Sequence, residues 1–69
     1  MRSIIMQSAE KIRNQYEELK NLLISIEVDL LKNLSGNKSA GVRARKALRE
    51  VKKQATDIIK STIALEKEE

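Results

Sequence analysis

Lys38, Arg43, Arg45, Lys46, Arg49, Lys52, Lys53 and Lys60 crowd one stretch of the chain, beginning with GNKSAGVRARK at residues 36 to 46. Side chains of this kind do not make or break bonds by themselves. Their chemistry is the pairing of fixed cations with an anion, above all with phosphate, which arginine holds as a fork and lysine as a point charge. The residues that would support other chemistry are missing or scattered. Cysteine and histidine are absent, which removes disulfides, thiol and imidazole nucleophiles and the usual zinc ligands. There is no phosphate loop and no metal-ligand spacing. Glu17 and Glu18, or Glu66, Glu68 and Glu69, read as solvated charge rather than an acid–base pair. We therefore expect no enzyme, no cofactor and no metal.

The elements that must carry these cations are helices. Proline is absent, the only glycines are Gly36 and Gly41, and 35% of the 69 residues are charged. Such a chain, rich in Ala, Leu, Lys, Glu, Arg and Gln, favours long helices. In the first half, apolar residues recur at Ile5, Ala9, Ile12, Tyr16, Leu19, Leu23, Ile26 and Leu30, alternating steps of four and three. That is the a/d spacing of packed helices. The second half repeats it at Ala44, Leu48, Val51, Ala55, Ile58, Thr62 and Leu65. Tyr16, the sole aromatic, falls in the first seam and is expected in the core.

Between the two seams lies LSGNKS. Gly36 suits the left-handed conformation that ends a helix, and Ser39 is expected to cap the next one, as Ser3 is expected to cap the first. The spacing predicts an all-α fold over residues 1–69: a helix over 3–34, a turn at 35–38 and a helix over 39–66, folded as an antiparallel, coiled-coil-like hairpin. Leu22, Leu31, Ile59 and Ile63 widen the apolar stripe and would stay wet in a lone hairpin. A homodimer forming a four-helix bundle is the expected remedy.

Charge is distributed unevenly. Residues 1–31 carry a net −1, residues 32–60 a net +7 and residues 61–69 a net −2, giving +4 overall. At about 100° per residue, Arg45, Lys46, Arg49, Lys52, Lys53 and Lys60 fall opposite the second seam, with Arg43 alone on the other flank. A face that merely meets water mixes signs, because oppositely charged neighbours a turn apart help a helix. Here Arg45–Arg49, Arg49–Lys52, Arg49–Lys53 and Lys46–Lys53 set like charges together, at a cost of about 0.2–0.5 kcal/mol per close pair. A polyanion turns that cost into attraction, and nucleic-acid phosphate is the commonest one. With no aromatic free to stack on bases, the expected binding is to the backbone, tolerant of sequence and steeply dependent on salt.

The run LLISIEVDLLKNLSGNKSAGVRARKALREVKKQATDIIKSTIALEKEE resembles the N-terminal region of the chlamydial linker-histone-like nucleoid proteins and their bacterial relatives. The likeness covers about residues 22 to 67. It rests on a leucine-rich helix ending in a G-N-K-x-A turn, the RAR spacing and a lysine-containing helix ending near I-x-x-E-K. The matching positions are Gly36, Asn37, Lys38, Ala40, Arg43, Arg45, Lys53, Lys60, Glu66 and Lys67. The resemblance implies a cytoplasmic, nucleoid-associated protein that binds and compacts DNA with little sequence preference. Several of those proteins continue into a Lys/Ala/Pro-rich tail that supplies much of the affinity, whereas this sequence runs to KEE. The resemblance thus implies either binding through the folded stripe or a fold kept without strong DNA binding.

A competing class is a helical-hairpin adaptor that docks with another protein and binds no nucleic acid. It accounts for the seams and leaves the sign bias unexplained. A membrane-surface helix is disfavoured, since the apolar face lacks Trp and Phe. No stretch is apolar enough to span a bilayer, because Lys20, Glu27, Asp29 and Lys32 interrupt the richest one.

Overall fold

The computed structural model describes residues 2–68, with side chains from 8 to 67. Two helices, α1 (Arg2–Leu34) and α2 (Lys38–Glu68), pack against each other along their length as a hairpin. The molecule is a rod of 53 × 15 × 11 Å with a radius of gyration of 15.8 Å. A compact domain of this length would have a radius of about 11 Å. Two helices of some thirty residues have no third layer to fold around.

The hinge ends one helix and starts the next with few residues to spare. Gly36 takes φ +105°, where a Cβ would crowd the backbone, and its amide donates to the Asn33 carbonyl at 2.9 Å. The Asn37 amide donates to the Lys32 carbonyl at 3.0 Å. These are the paired bonds of a Schellman cap, and they satisfy carbonyls that the end of α1 would otherwise leave open. The Ser35 hydroxyl adds a bond to the Leu31 carbonyl at 3.1 Å.

Asn37 then serves the second helix. Its Oδ1 accepts from the Ala40 amide at 3.0 Å, and its carbonyl accepts from Gly41 at 3.3 Å. The cap of α2 is therefore Asn37 and not Ser39, which already lies inside the helix. Asparagine wins because the left-handed Gly36 delivers its side chain directly over the first turn. Ser3, the expected cap of the first helix, also lies within α1, and its side chain is outside the described set.

Gly36→Ala should cost about 1 kcal/mol through its left-handed φ, and Asn37→Ala about 1 kcal/mol through the lost cap. Thermal melts followed by circular dichroism check both. A pair of unchanged midpoints would contradict this reading of the hinge.

The fully buried residues lie toward the hinge. Ala40 and Ala44 are sealed at 0% and 1% exposure, and Ile26 of α1 at 2%. A Cβ added at Gly41 would collide with the Asn33 carboxamide, which is itself bonded to the Asn37 carbonyl at 3.2 Å. Small residues on α2 let α1 come this near.

The face that α1 turns to α2 is rotated from the one the spacing predicts. Ile12, Leu19 and Ile26 do face α2, but their half-buried companions are Gln15, Leu22, Asp29 and Asn33. Ala9, Tyr16, Leu23 and Leu30 are exposed instead, Tyr16 at 54% and Leu23 at 46%. Tyr16 is thus not a core residue, and Leu22 is not left wet. Ile5 lies outside the described side chains. The physical reason is that a hairpin gives each helix one neighbour. It can cover the centre line and one flank of an a/d stripe, and the other flank stays open. On α2 the predicted set is at least half-buried throughout except Leu48.

Candidate nucleic-acid interface

Apart from Arg43, the basic residues of the stripe project from the side of α2 that α1 does not cover. Lys38, Arg43, Arg45, Lys46, Arg49, Lys52, Lys53 and Lys60 are all exposed. Buried Ala44, with half-buried Val51 and Ile58, points the opposite way and anchors the stripe against α1. Successive turns place Lys46, Lys53 and Lys60 in one row seven residues apart. A second row holds Lys38, Arg45 and Lys52, and Arg49 stands between the two. Seven residues of helix rise about 10.5 Å, so the stripe is a ladder of cations rather than a single cluster.

The cations differ in what they touch. Arg43 reaches across the hairpin to Asp29, with Nε and Nη2 each 3.2 Å from Oδ1. It is a brace between the helices, and its charge is partly answered before any ligand arrives. The other ion pair among the described residues is Lys20 with Glu17 at 3.6 Å, with the Lys20 ammonium also 5.8 Å from the centre of the Tyr16 ring. Arg45, Lys46, Arg49, Lys52, Lys53 and Lys60 have no carboxylate within 4 Å among the described residues. Sequence reasoning grouped Arg43 with them. The signal that separates it is its place on the opposite flank, facing the single acid Asp29.

Sequence reasoning missed the polar flank of the hairpin. Gln15, Glu18, Gln54 and Asp57 line one recess, and Ser8, Lys11, Lys60, Ser61 and Ala64 another. The Oε1 atoms of Gln15 and Gln54 are buried there without a hydrogen-bond partner. Nothing in the a/d spacing announces this, because Gln15 and Gln54 lie one residue outside the seams. Lys60 thus has one edge on this polar flank, while Arg45 stands on the other side of α2, over Gly41. No helix among the described residues is long and apolar enough to cross a membrane.

Comparison with curated proteins and with solved structures yields no match. The family model of the histone H1-like protein Hc1 matches residues 13–68, which takes in the C-terminal two-thirds of α1, the whole hinge and the basic stripe. This chain belongs to the histone H1-like protein Hc1 family.

Proposed function

We propose that the chain is a non-sequence-specific, histone-like DNA-binding protein of the nucleoid that grips the phosphate backbone through the exposed ladder on α2. The observation that carries this reading is the group Arg45, Lys46, Arg49, Lys52 and Lys53. These residues are like-charged neighbours, exposed, and without a carboxylate within 4 Å among the described residues. Left alone, the arrangement slightly opposes its own helix. Duplex DNA, with one charge per about 1.7 Å of axis, matches a rigid row of cations and releases counterions when the row docks. The amides of Lys38 and Ser39, at the head of α2 beside the ladder, add a further point of attraction for phosphate. Membership in a histone H1-like family supports the reading. Compaction of DNA follows if the protein acts as a homodimer, which the open apolar flank favours.

The same flank also suits a partner-binding hairpin that never meets nucleic acid. Retention on immobilised duplex DNA separates the two. Binding at low salt that is lost in a graded way as salt rises supports the DNA reading, and passage through the column at low salt contradicts it.

A further inference from the structure

Midway along the hairpin the two helices contribute matching pairs of oxygen-bearing side chains. Gln15 and Glu18 stand three residues apart on α1, and Gln54 and Asp57 three apart on α2, so each pair shares one face of its helix. The brace between Arg43 and Asp29 sets the antiparallel register. Glu18 and Gln54 each lie eleven residues from the brace residue of their own helix, and Gln15 and Asp57 each fourteen. Each glutamine is therefore level with a carboxylate of the other helix, and the four line one recess of about 80 Å³.

Two features of this recess have no answer within the hairpin. The Oε1 atoms of Gln15 and Gln54 are buried and accept no hydrogen bond, although a buried carbonyl without a partner is costly. Glu18 and Asp57 form no ion pair within 4 Å among the described residues. Lys53 and Lys60 stand four residues before Asp57 and three after it, the spacing at which helix neighbours pair. Neither comes within 4 Å of it. Two buried oxygens and two carboxylates thus share a recess that no cation of the chain enters.

We propose that the recess binds a hard divalent cation, of the magnesium and calcium class, through the amide oxygens of Gln15 and Gln54 and the carboxylates of Glu18 and Asp57. A set of oxygen donors without sulfur or imidazole selects such an ion over zinc or copper. A charge of two matches the two carboxylates, and the volume leaves room for water to complete the shell. Mutual pairing of the two carboxamides would satisfy their oxygens but leave both carboxylates without a counter-charge. A polyamine spreads its charge along a chain, whereas these donors are gathered in one small recess. Spacing along the sequence gives no sign of the site, because its ligands come in pairs from two helices. With only two carboxylates the binding is weak, with a Kd of about 10⁻⁴–10⁻³ M, since affinity follows the number of charged ligands.

The position of the recess gives the ion its effect. The buried residues Ile26, Ala40, Gly41 and Ala44 all lie on its hinge side. Farther from the hinge no described side chain is fully buried. An ion bridging α1 and α2 here ties together the half of the rod that packing holds least. No ladder residue is among the ligands, so the proposal stands apart from DNA binding.

Thermal melts followed by circular dichroism, without nucleic acid, test it. Calcium or magnesium chloride at about 10 mM, roughly ten times the Kd, should raise the midpoint by about 5–10 °C over sodium chloride of equal ionic strength. Asp57→Asn and Gln54→Leu should each lose most of that rise. Glu50→Gln, which removes an exposed acid of α2 outside the recess, should keep it. No rise beyond sodium chloride, an equal rise with spermidine, or an undiminished rise in both variants overturns the proposal. A second readout needs no variant. Manganese(II), a paramagnetic ion that favours the same oxygen ligands, should at substoichiometric amounts broaden the amide resonances of Gln15, Glu18, Gln54 and Asp57 on both helices. Broadening that leaves these four sharp contradicts the site, and either failure leaves the DNA-binding reading untouched.

Discussion

Reversing Arg45 and Arg49 to glutamate is expected to weaken duplex binding at low salt by on the order of 100-fold, and to shallow the log–log salt dependence by about 1.8. Both side chains are exposed and have no carboxylate within 4 Å among the described residues. Removing them takes away two phosphate contacts, and the new carboxylates repel the backbone that the neighbouring lysines attract. The control is the reversal of Lys11 and Arg13, two exposed cations of α1; Lys11 shares a recess with Lys60, about three helical turns along α2 from Arg49. That double variant has the same net charge, so a general loss of attraction would affect both equally. Equal binding by the two, measured by titration of a fluorescent duplex, would show that the ladder is not the site. The variants should remain helical, since the substitutions touch no residue of the hairpin seam.

The second large effect is on stability. Ile26→Ala is expected to unfold much of the population at room temperature. Ile26 is the one large aliphatic side chain among the described residues that is almost wholly sealed, at 2% exposure, and its buried companions are the small Ala40, Gly41 and Ala44. Truncating a buried isoleucine to alanine costs about 2–5 kcal/mol. A single core in a chain this short rarely supplies more than about 3–5 kcal/mol. Val28→Ala serves as the comparison, because Val28 is 53% exposed on the outer side of α1 and should shift stability by under about 0.5 kcal/mol. Urea melts followed by helicity resolve the pair. Similar midpoints for the two variants would mean that the hairpin contact is not what holds the chain together.

Much of this architecture is legible from residue order. Alternating steps of four and three announce two packed helices, and Gly36 with Asn37 marks where the chain reverses. Opposite placement of the lysines and of Ala44, Val51 and Ile58 follows from the helical repeat alone. What spacing does not convey is how far α1 rolls about its own axis. Tyr16 and Gln15 are adjacent on the helix, and either can flank Ile12 and Leu19 in contact with a neighbour. Binary patterning chooses the apolar one, which is sound when a helix has two neighbours. Within one hairpin the polar Gln15–Gln54 flank is covered and the Tyr16–Leu23–Leu30 flank is left open. The expected seam therefore describes a bundle more closely than a lone hairpin, which is why its departure from the observed contact is informative.

The hinge shows a second limit. Ser39 and Asn37 are both good caps by type, and the choice depends on the left-handed turn at Gly36 placing Asn37 over the Ala40 amide. Arg43 shows a third. Its separation from the ladder is visible in angle, but the Asp29 partner emerges only when the antiparallel register is fixed. The role of the remaining cations is a matter of chemistry rather than position, and it is open to direct measurement.

At the root of the account, cations held on one rigid helix take the place of the small ions that surround a sugar–phosphate chain. Affinity for two unrelated duplex sequences, measured over a series of salt concentrations, tests that most directly. The expected result is one straight line on logarithmic axes for both sequences, with a slope of about −3.6 to −4.5, corresponding to roughly four to five phosphates neutralised. A slope near zero, or binding to one sequence alone, would contradict it.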